Sequence, residues 1–268
     1  MAGRLTKLAG SMILCLLLVA GCGNMNKADK IKEYIENNRN DEAIAIIESG
    51  YNVNRVNEVS ELLYYVFTQG GHTEETPLYI ACRVGNKEMI FYLLENGADP
   101  NLKNEGCSYP LEKYIKEHGG EDDGVIEAFV AAGADVNLGR LATPFCAVMN
   151  RFDGADKEQQ DIYEKQAVFM LEHGANWRCE PESALDQFEG YTPIHFIAMT
   201  DRADTMARFL QYDDARKYID AKDRFGDTAI MNAARNHKET AYQMLLDFGA
   251  DPTIEDRYGK TALDYMSE

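Results

Sequence analysis

The stretch TPLYIACRVGNKEMIFYLLENGADPN, residues 76–101, constrains this chain more than any other, because the rest of the sequence copies it. Thr76 can cap a helix, and Pro77 suits the first helical position, where its missing N–H is no loss. Leu78, Ile80 and Ala81 follow at helical spacing and Gly85-Asn86 breaks the run. Met89, Ile90, Leu93 and Leu94 then give a second one-sided helix. Gly97 ends it, because glycine adopts the left-handed conformation of a helix end most readily. Two short helices with one apolar side each cannot bury it alone. They require neighbours built the same way.

Those neighbours recur at one period. Pro77 to Pro110 is 33 residues, Pro110 to Pro144 is 34, and Thr228 to Thr261 is 33. The ending Gly97-Ala98-Asp99-Pro100-Asn101 returns as Gly133-Ala134-Asp135-Val136-Asn137, as Gly174-Ala175-Asn176 and as Gly249-Ala250-Asp251-Pro252-Thr253. With this period and its Thr-Pro-Leu openings, the chain resembles the ankyrin-repeat family over residues 28–268. The resemblance implies an all-α solenoid of helix-turn-helix units with short β-hairpin fingers. It divides 28–268 into a degenerate cap repeat over 28–54, full repeats from about 72, 105, 140, 188 and 223, and a half repeat over 256–268.

The first residues read differently. Arg4 and Lys7 precede an apolar run from Met12 to Ala20, too short to span a bilayer and patterned as a secretory signal. Its end, Leu18-Val19-Ala20-Gly21-Cys22, resembles a bacterial lipobox. That resemblance implies a signal peptide over 1–21, lipidation at Cys22 and a short tether over 22–27. Gly23, not Asp, then implies the outer membrane, facing the periplasm. The net charge is −18, and losing Arg4 and Lys7 with the signal peptide would leave −20. An acidic body of that size repels nucleic acid and permits, without requiring, a basic protein partner.

Departures from the period mark where the chain is irregular. Lys27–Asn38 and Asp41–Glu48 form a polar first pair suited to a terminal cap. Residues 55–75 make an overlong finger, and the turn at Glu117–Gly124 grows. Arg151–Gln166, rich in Asp, Glu and Gln, either lengthens a second helix or forms a surface loop. A long finger follows from Arg178 to Gly190, and Tyr212–Ile219 replaces one Gly-Ala-Asp ending. Asp223-Arg224-Phe225-Gly226 and Asp256-Arg257-Tyr258-Gly259 are near-duplicate finger tips, each glycine supplying the positive φ of a tight turn. In the half repeat, Ala262, Leu263, Tyr265 and Met266 are expected to cover the helix pair before them.

No catalytic constellation emerges. His195 occupies the His position of the family's Thr-Pro-Leu-His motif, which implies a structural hydrogen bond. His72, His118, His173 and His237 are scattered, without metal-ligand spacing. There is no nucleophile elbow, no P-loop and no dinucleotide fingerprint. The reading is of a chain that is not an enzyme and takes no cofactor or metal. Beyond Cys22, the cysteines Cys82, Cys107, Cys146 and Cys179 allow three pairings in an oxidising compartment, or four free thiols. Cys82 and Cys146 point inward, Cys146 at the position equivalent to His195, while Cys107 and Cys179 fall in fingers.

The resemblance makes the function binding, through fingers and first helices. Carried onto this sequence, those positions are Arg83, Val84, Phe188, Glu189, Tyr191, Arg224, Phe225, Asp227, Arg235, Asn236, Arg257 and Tyr258. Phe225 and Tyr258 could equally pack finger on finger. The implied protein is a monomer before binding, held to the envelope membrane by its lipid, with a protein as its partner. An immunity protein neutralising a secreted toxin fits the short tether; an accessory or stress-related partner of a periplasmic enzyme is the alternative. Cys22→Ser is expected to abolish incorporation of radioactive fatty acid into the protein. Equal labelling of wild type and variant would rule the lipobox out.

Overall fold

Thr76 caps as its position implies: its Oγ1 accepts the Tyr79 N–H at 3.2 Å, and the helix begins at Pro77. Asn86 and Asp156 do the same for the helices that follow them, and Thr143 for the one at Pro144. The computed structural model describes residues 27–55, 75–104, 108–119, 121–139, 142–152, 154–179, 189–200 and 202–267. Among these every regular element is a helix. None is long and apolar enough to cross a membrane. The chain divides into two units, residues 1–110 and 111–268. The sequence expectations for Cys22, Cys107, Phe188 and most of 55–75 lie outside the described residues.

In the first unit α1 (27–36) and α2 (Asn40–Glu48) form the cap pair, and α3 (Pro77–Val84) and α4 (Lys87–Glu95) the first regular pair. The one-sided pattern is fully used. Ala28, Ile31 and Ile35 are buried on α1, Leu78 to Cys82 on α3, and Met89, Ile90, Leu93 and Leu94 on α4. Gly85, at φ 73°, closes α3 in the left-handed conformation. The next pair is then stitched to the cap. Asn86 Nδ2 donates to Ile35 O at 3.2 Å and to Asn40 Oδ1 at 2.8 Å. Asn54 clasps the following repeat end, donating to Gly97 O at 3.0 Å and accepting the Asp99 N–H at 2.7 Å.

The second unit repeats the plan. Its helices are α5 (Pro110–His118), α6 (Val125–Ala131), α7 (Pro144–Met149), α8 (Lys157–Glu172), α9 (Pro193–Ile197), α10 (Ala203–Phe209), α11 (Asp213–Lys217), α12 (Ala229–Arg235), α13 (Glu239–Phe248) and α14 (Ala262–Met266). First helices pack in succession, α7 on α9, α9 on α12 and α12 on α14, while second helices pack α10 on α13. Phe129, Phe145, Phe152, Phe196 and Phe209 fill the core between them. The clasp returns. Asn137 Nδ2 donates to Gly174 O at 2.9 Å and its Oδ1 accepts the Asn176 N–H at 2.7 Å, while Asp220 Oδ1 accepts the Asp251 N–H at 2.9 Å.

Three irregularities resolve here. The acid- and amide-rich insertion lengthens a second helix: α8 runs 16 residues where α4 runs 9, with Asp156 accepting the Gln159 N–H at 2.9 Å. Tyr212–Ile219 forms the extra turn α11. In α14, Ala262 and Tyr265 are buried against α12, but Leu263 is 52% exposed and Met266 38%. A helix of little more than one turn offers its neighbour a single i, i+3 face, so the expectation that all four residues cover the pair is corrected.

Of the open cysteine pairings, one forms: Cys146 and Cys179 are disulfide-bonded with Cα atoms 5.8 Å apart, both sulfurs in the core. Cys82 is a buried free thiol whose pKa burial raises. Closing a loop of 33 residues restricts the unfolded chain, and such loops contribute about 3–4 kcal/mol. Cys146→Ala/Cys179→Ala is therefore expected to lower the unfolding free energy extrapolated to zero urea by that amount, and with it the urea midpoint. An unchanged midpoint would show that the bond contributes nothing to stability.

Candidate binding surface

Two fingers are fastened to the first helix that precedes them. The Thr192 N–H donates to His195 Nδ1 at 3.1 Å, which places the imidazole proton on Nε2; Nε2 then donates to the Asp227 carbonyl in the next finger at 3.3 Å. Burial holds the His195 pKa down to about 4, although the Asp227 and Ala221 carbonyls favour the charged form. One repeat earlier, Cys146 holds the same place on α7. Cys179 directly follows Arg178, as Ala221 follows Asp220. The disulfide is thus the covalent counterpart of the histidine latch, joining helix to next finger at the same point.

The finger tips are closed by their own carboxylates. Asp223 Oδ1 accepts the N–H groups of Phe225 at 2.7 Å and Asp227 at 2.9 Å, and the Asp223 N–H returns to Asp227 O at 2.9 Å. Asp256 repeats this with Tyr258 at 2.7 Å, Lys260 at 3.0 Å and Lys260 O at 2.8 Å. These are hairpin turns with too few residues on either side to extend into strands. Gly226 sits at φ 84°, and a Cβ there would come 3.0 Å from the Arg257 N of the next tip, so two features demand glycine. Adjacent fingers also bond directly, the Arg224 N–H donating to Glu189 O at 2.9 Å.

On this frame the predicted residues separate into two groups. Arg224, Phe225, Arg257 and Tyr258 come together at the tips of neighbouring fingers. The Arg257 guanidinium lies 4.4 Å over the Phe225 ring and 5.4 Å from that of Tyr258, with Arg224 5.2 Å from Phe225. Phe225 is half-buried by this stacking, whereas Tyr258 is 75% exposed. Glu189 is exposed beside them, and half-buried Tyr191, packed on His195 and Phe196, has its hydroxyl pKa pushed up to about 12 by burial and by the carboxylates Asp223 and Asp227.

The second group is engaged within the protein. Asp227 is buried and receives Arg235 in two hydrogen bonds of 2.6 and 2.9 Å, and the same guanidinium lies 4.4 Å over Tyr265. Arg83 meets Glu36 at 2.5 Å and Glu75 at 3.2 Å. Both pairs share one rule: an acid immediately before the capping Thr receives the Arg eight residues on. Val84 is half-buried, and exposed Asn236 donates to Asn232 O at 2.8 Å. Sequence reasoning overlooked Arg178 and Lys222, which also lie on the finger edge. No shared repeat position announces them, since Arg178 aligns with Asp220 and Lys222 directly precedes the tip residue Asp223.

Elsewhere, buried Glu164 on α8 gathers Thr205 Oγ1 at 2.5 Å, Arg202 at 3.4 Å and Arg208, which ties the lengthened helix to α10. Among the described residues no group of three or more His, Cys, Asp or Glu could hold a metal ion. Helix pairs that carry a row of projecting finger side chains have the form of an interaction scaffold.

Comparison with known proteins gives the same class. A family profile for ankyrin repeats in three copies matches residues 163–256, and a single-repeat profile matches 73–105. Residues 73–105 and 163–256 thus match ankyrin repeats, which imply a protein–protein interaction module. Its fold is that of the human ASB11 ankyrin repeat domain (TM-score 0.61, 21% identity, 88% of this chain and 90% of that one). The ankyrin repeat domain of Bcl-3 is similar at TM-score 0.59 and 15% identity, covering 88% and 92%. Among curated proteins, the mitochondrial disaggregase of Bos taurus is 24% identical over 208 residues, 77% of this chain and 23% of that protein. The ankyrin repeat and SOCS box protein 6 of Homo sapiens is 32% identical over 101 residues, 37% of this chain and 22% of that protein. The chain thus spans less than a quarter of these curated relatives.

His195 gives the surface a pH signature. A folded-state pKa of about 4 against an ordinary value near 6.5 means that the unfolded chain binds this proton more readily. The stabilisation is complete above about pH 6.5 and is lost as pH falls towards about 4, about 2 kcal/mol of it by pH 5. His195→Gln is expected to flatten the stability profile between pH 7 and 5 by that amount in urea titrations. An identical slope in the variant would show that His195 does not titrate in this way.

Proposed function

We propose that this protein is a lipid-anchored binding module of the bacterial cell envelope, tethered through Cys22 at the outer membrane and facing the periplasm. Its repeats capture a protein partner, and the role favoured is neutralisation, as by an immunity protein against a secreted toxin. The finger edge carries the reading: Tyr258 stands 75% exposed beside an Arg257 already positioned on Phe225. Exposed aromatic and arginine side chains on a rigid frame are the residues that anchor interfaces. The Cys146–Cys179 bond supports an oxidising compartment, where disulfides persist. The lipobox-like run ending at Cys22 supports the tether. Glu189 and Tyr191 extend the same edge, Phe188 is a candidate by its position in the sequence, and Arg83, Val84, Arg235 and Asn236 are secondary candidates.

Interface anchors commonly contribute about 2 kcal/mol or more each when truncated. Arg224→Ala/Tyr258→Ala, with unchanged helical content and melting, is expected to lose most capture of the partner that the intact protein retains in a pull-down. Undiminished capture by the folded variant would move the binding surface away from these fingers.

A further inference from the structure

The acidic body has a basic edge. Arg151 rests on the Lys116 and Gly119 carbonyls and Arg216 on the Phe248 ring, but three other arginines of the second unit are neutralised, Arg202 by Asp161 and Asp204, Arg208 by Glu164 and Arg235 by Asp227. The finger cations are held otherwise. Arg178 Nη2 donates to Lys222 O at 3.2 Å, Lys222 Nζ donates to Glu255 O at 2.8 Å, and Arg257 lies on the Phe225 ring. A carbonyl or a ring fixes a cation in place without cancelling its charge. Each of these contacts reaches from one finger to its neighbour, so the three charges form a row, with Arg224 exposed alongside. Among the described residues three finger acids are withdrawn from the edge: Asp223 and Asp256 are buried within their own turns, and Asp227 is paired with Arg235. Glu189 and Glu255 remain exposed.

We infer that this edge docks an acidic segment of the partner, a run of Asp and Glu side chains that meets the row formed by Arg178, Lys222 and Arg257. The inference rests on the protein-binding reading and names the chemistry of its partner. Net charge alone points the other way, towards a basic partner. At contact distance the local row decides, because charges beyond about 8 Å are largely screened at physiological salt. A flat sheet of anionic lipid fits less well, since it would bring more of the acidic body within screening distance than a narrow acidic segment that meets the row alone.

The test is fluorescence anisotropy of the full chain with a short fluorescein-labelled oligo-glutamate at low salt. Wild type is expected to bind, with affinity falling as salt rises. Lys222→Glu/Arg257→Glu should bind at least tenfold more weakly, while Lys157→Glu/Lys165→Glu, an equal change of charge on α8, should bind as wild type does. Absence of binding by wild type, or equal loss in both variants, would overturn the inference. So would binding only to phosphatidylglycerol vesicles, which would make the edge a membrane contact. A photo-crosslinker at Val84 or Tyr258 separates the two readings. Protein capture without oligo-glutamate binding leaves the binding module standing and removes the acidic partner. No capture at either position, together with no oligo-glutamate binding, removes both.

Discussion

The structure depends on the contact by which the first helix of one repeat holds the finger of the next. His195 makes it with a hydrogen bond from Nε2 to the Asp227 carbonyl, and Cys146 makes it with a covalent bond to Cys179. A helix pair alone cannot bury its apolar side, and a finger alone is a turn without a core. The latch converts both into parts of a stack. It explains why a buried polar group is tolerated beneath the finger at Asp223–Asp227: His195 is satisfied on both nitrogens, so its burial costs little as long as it stays neutral.

A second set of contacts works at the other end of each repeat. Asn54, Asn137 and Asp220 clasp the turn that closes the following repeat. Where Asn stands, both its amide nitrogen and its oxygen are used; where Asp220 stands, only an acceptor is available, and only the N–H of Asp251 is taken. Latches and clasps together leave the finger tips little freedom. Ordering them in advance lowers the entropy lost when a partner binds.

Much of this was legible in the sequence, because caps, glycine endings and one-sided helices are local signals that recur at a fixed period. Thr76, Thr143 and Gly85 play the parts their positions imply. What escaped was non-local. The Cys146–Cys179 pairing becomes visible only once Cys146 is aligned with His195 and Cys179 with Ala221, since the choice depends on which finger lies over which helix. The pairing of Arg83 with Glu75 and of Arg235 with Asp227 spans the length of one short helix, from an acid that precedes the helix to an Arg in its last turn, and among so many charges nothing in the sequence singles it out. Leu263 and Met266 looked like core because apolar character does not say which face of a five-residue helix is covered. The basic edge was hidden by the net charge of the whole chain, which averages over the places where contacts are made.

Native-state hydrogen exchange on His195→Ala tests most directly whether the latch holds the fingers. The amides to follow are Asp223, bonded to Asp227 O, and Arg224, bonded to Glu189 O. If the latch organises the edge, both lose protection while the amides of α13 keep theirs, because the damage is confined to the finger. Unchanged protection at Asp223 and Arg224, or an equal loss throughout α13, would contradict it.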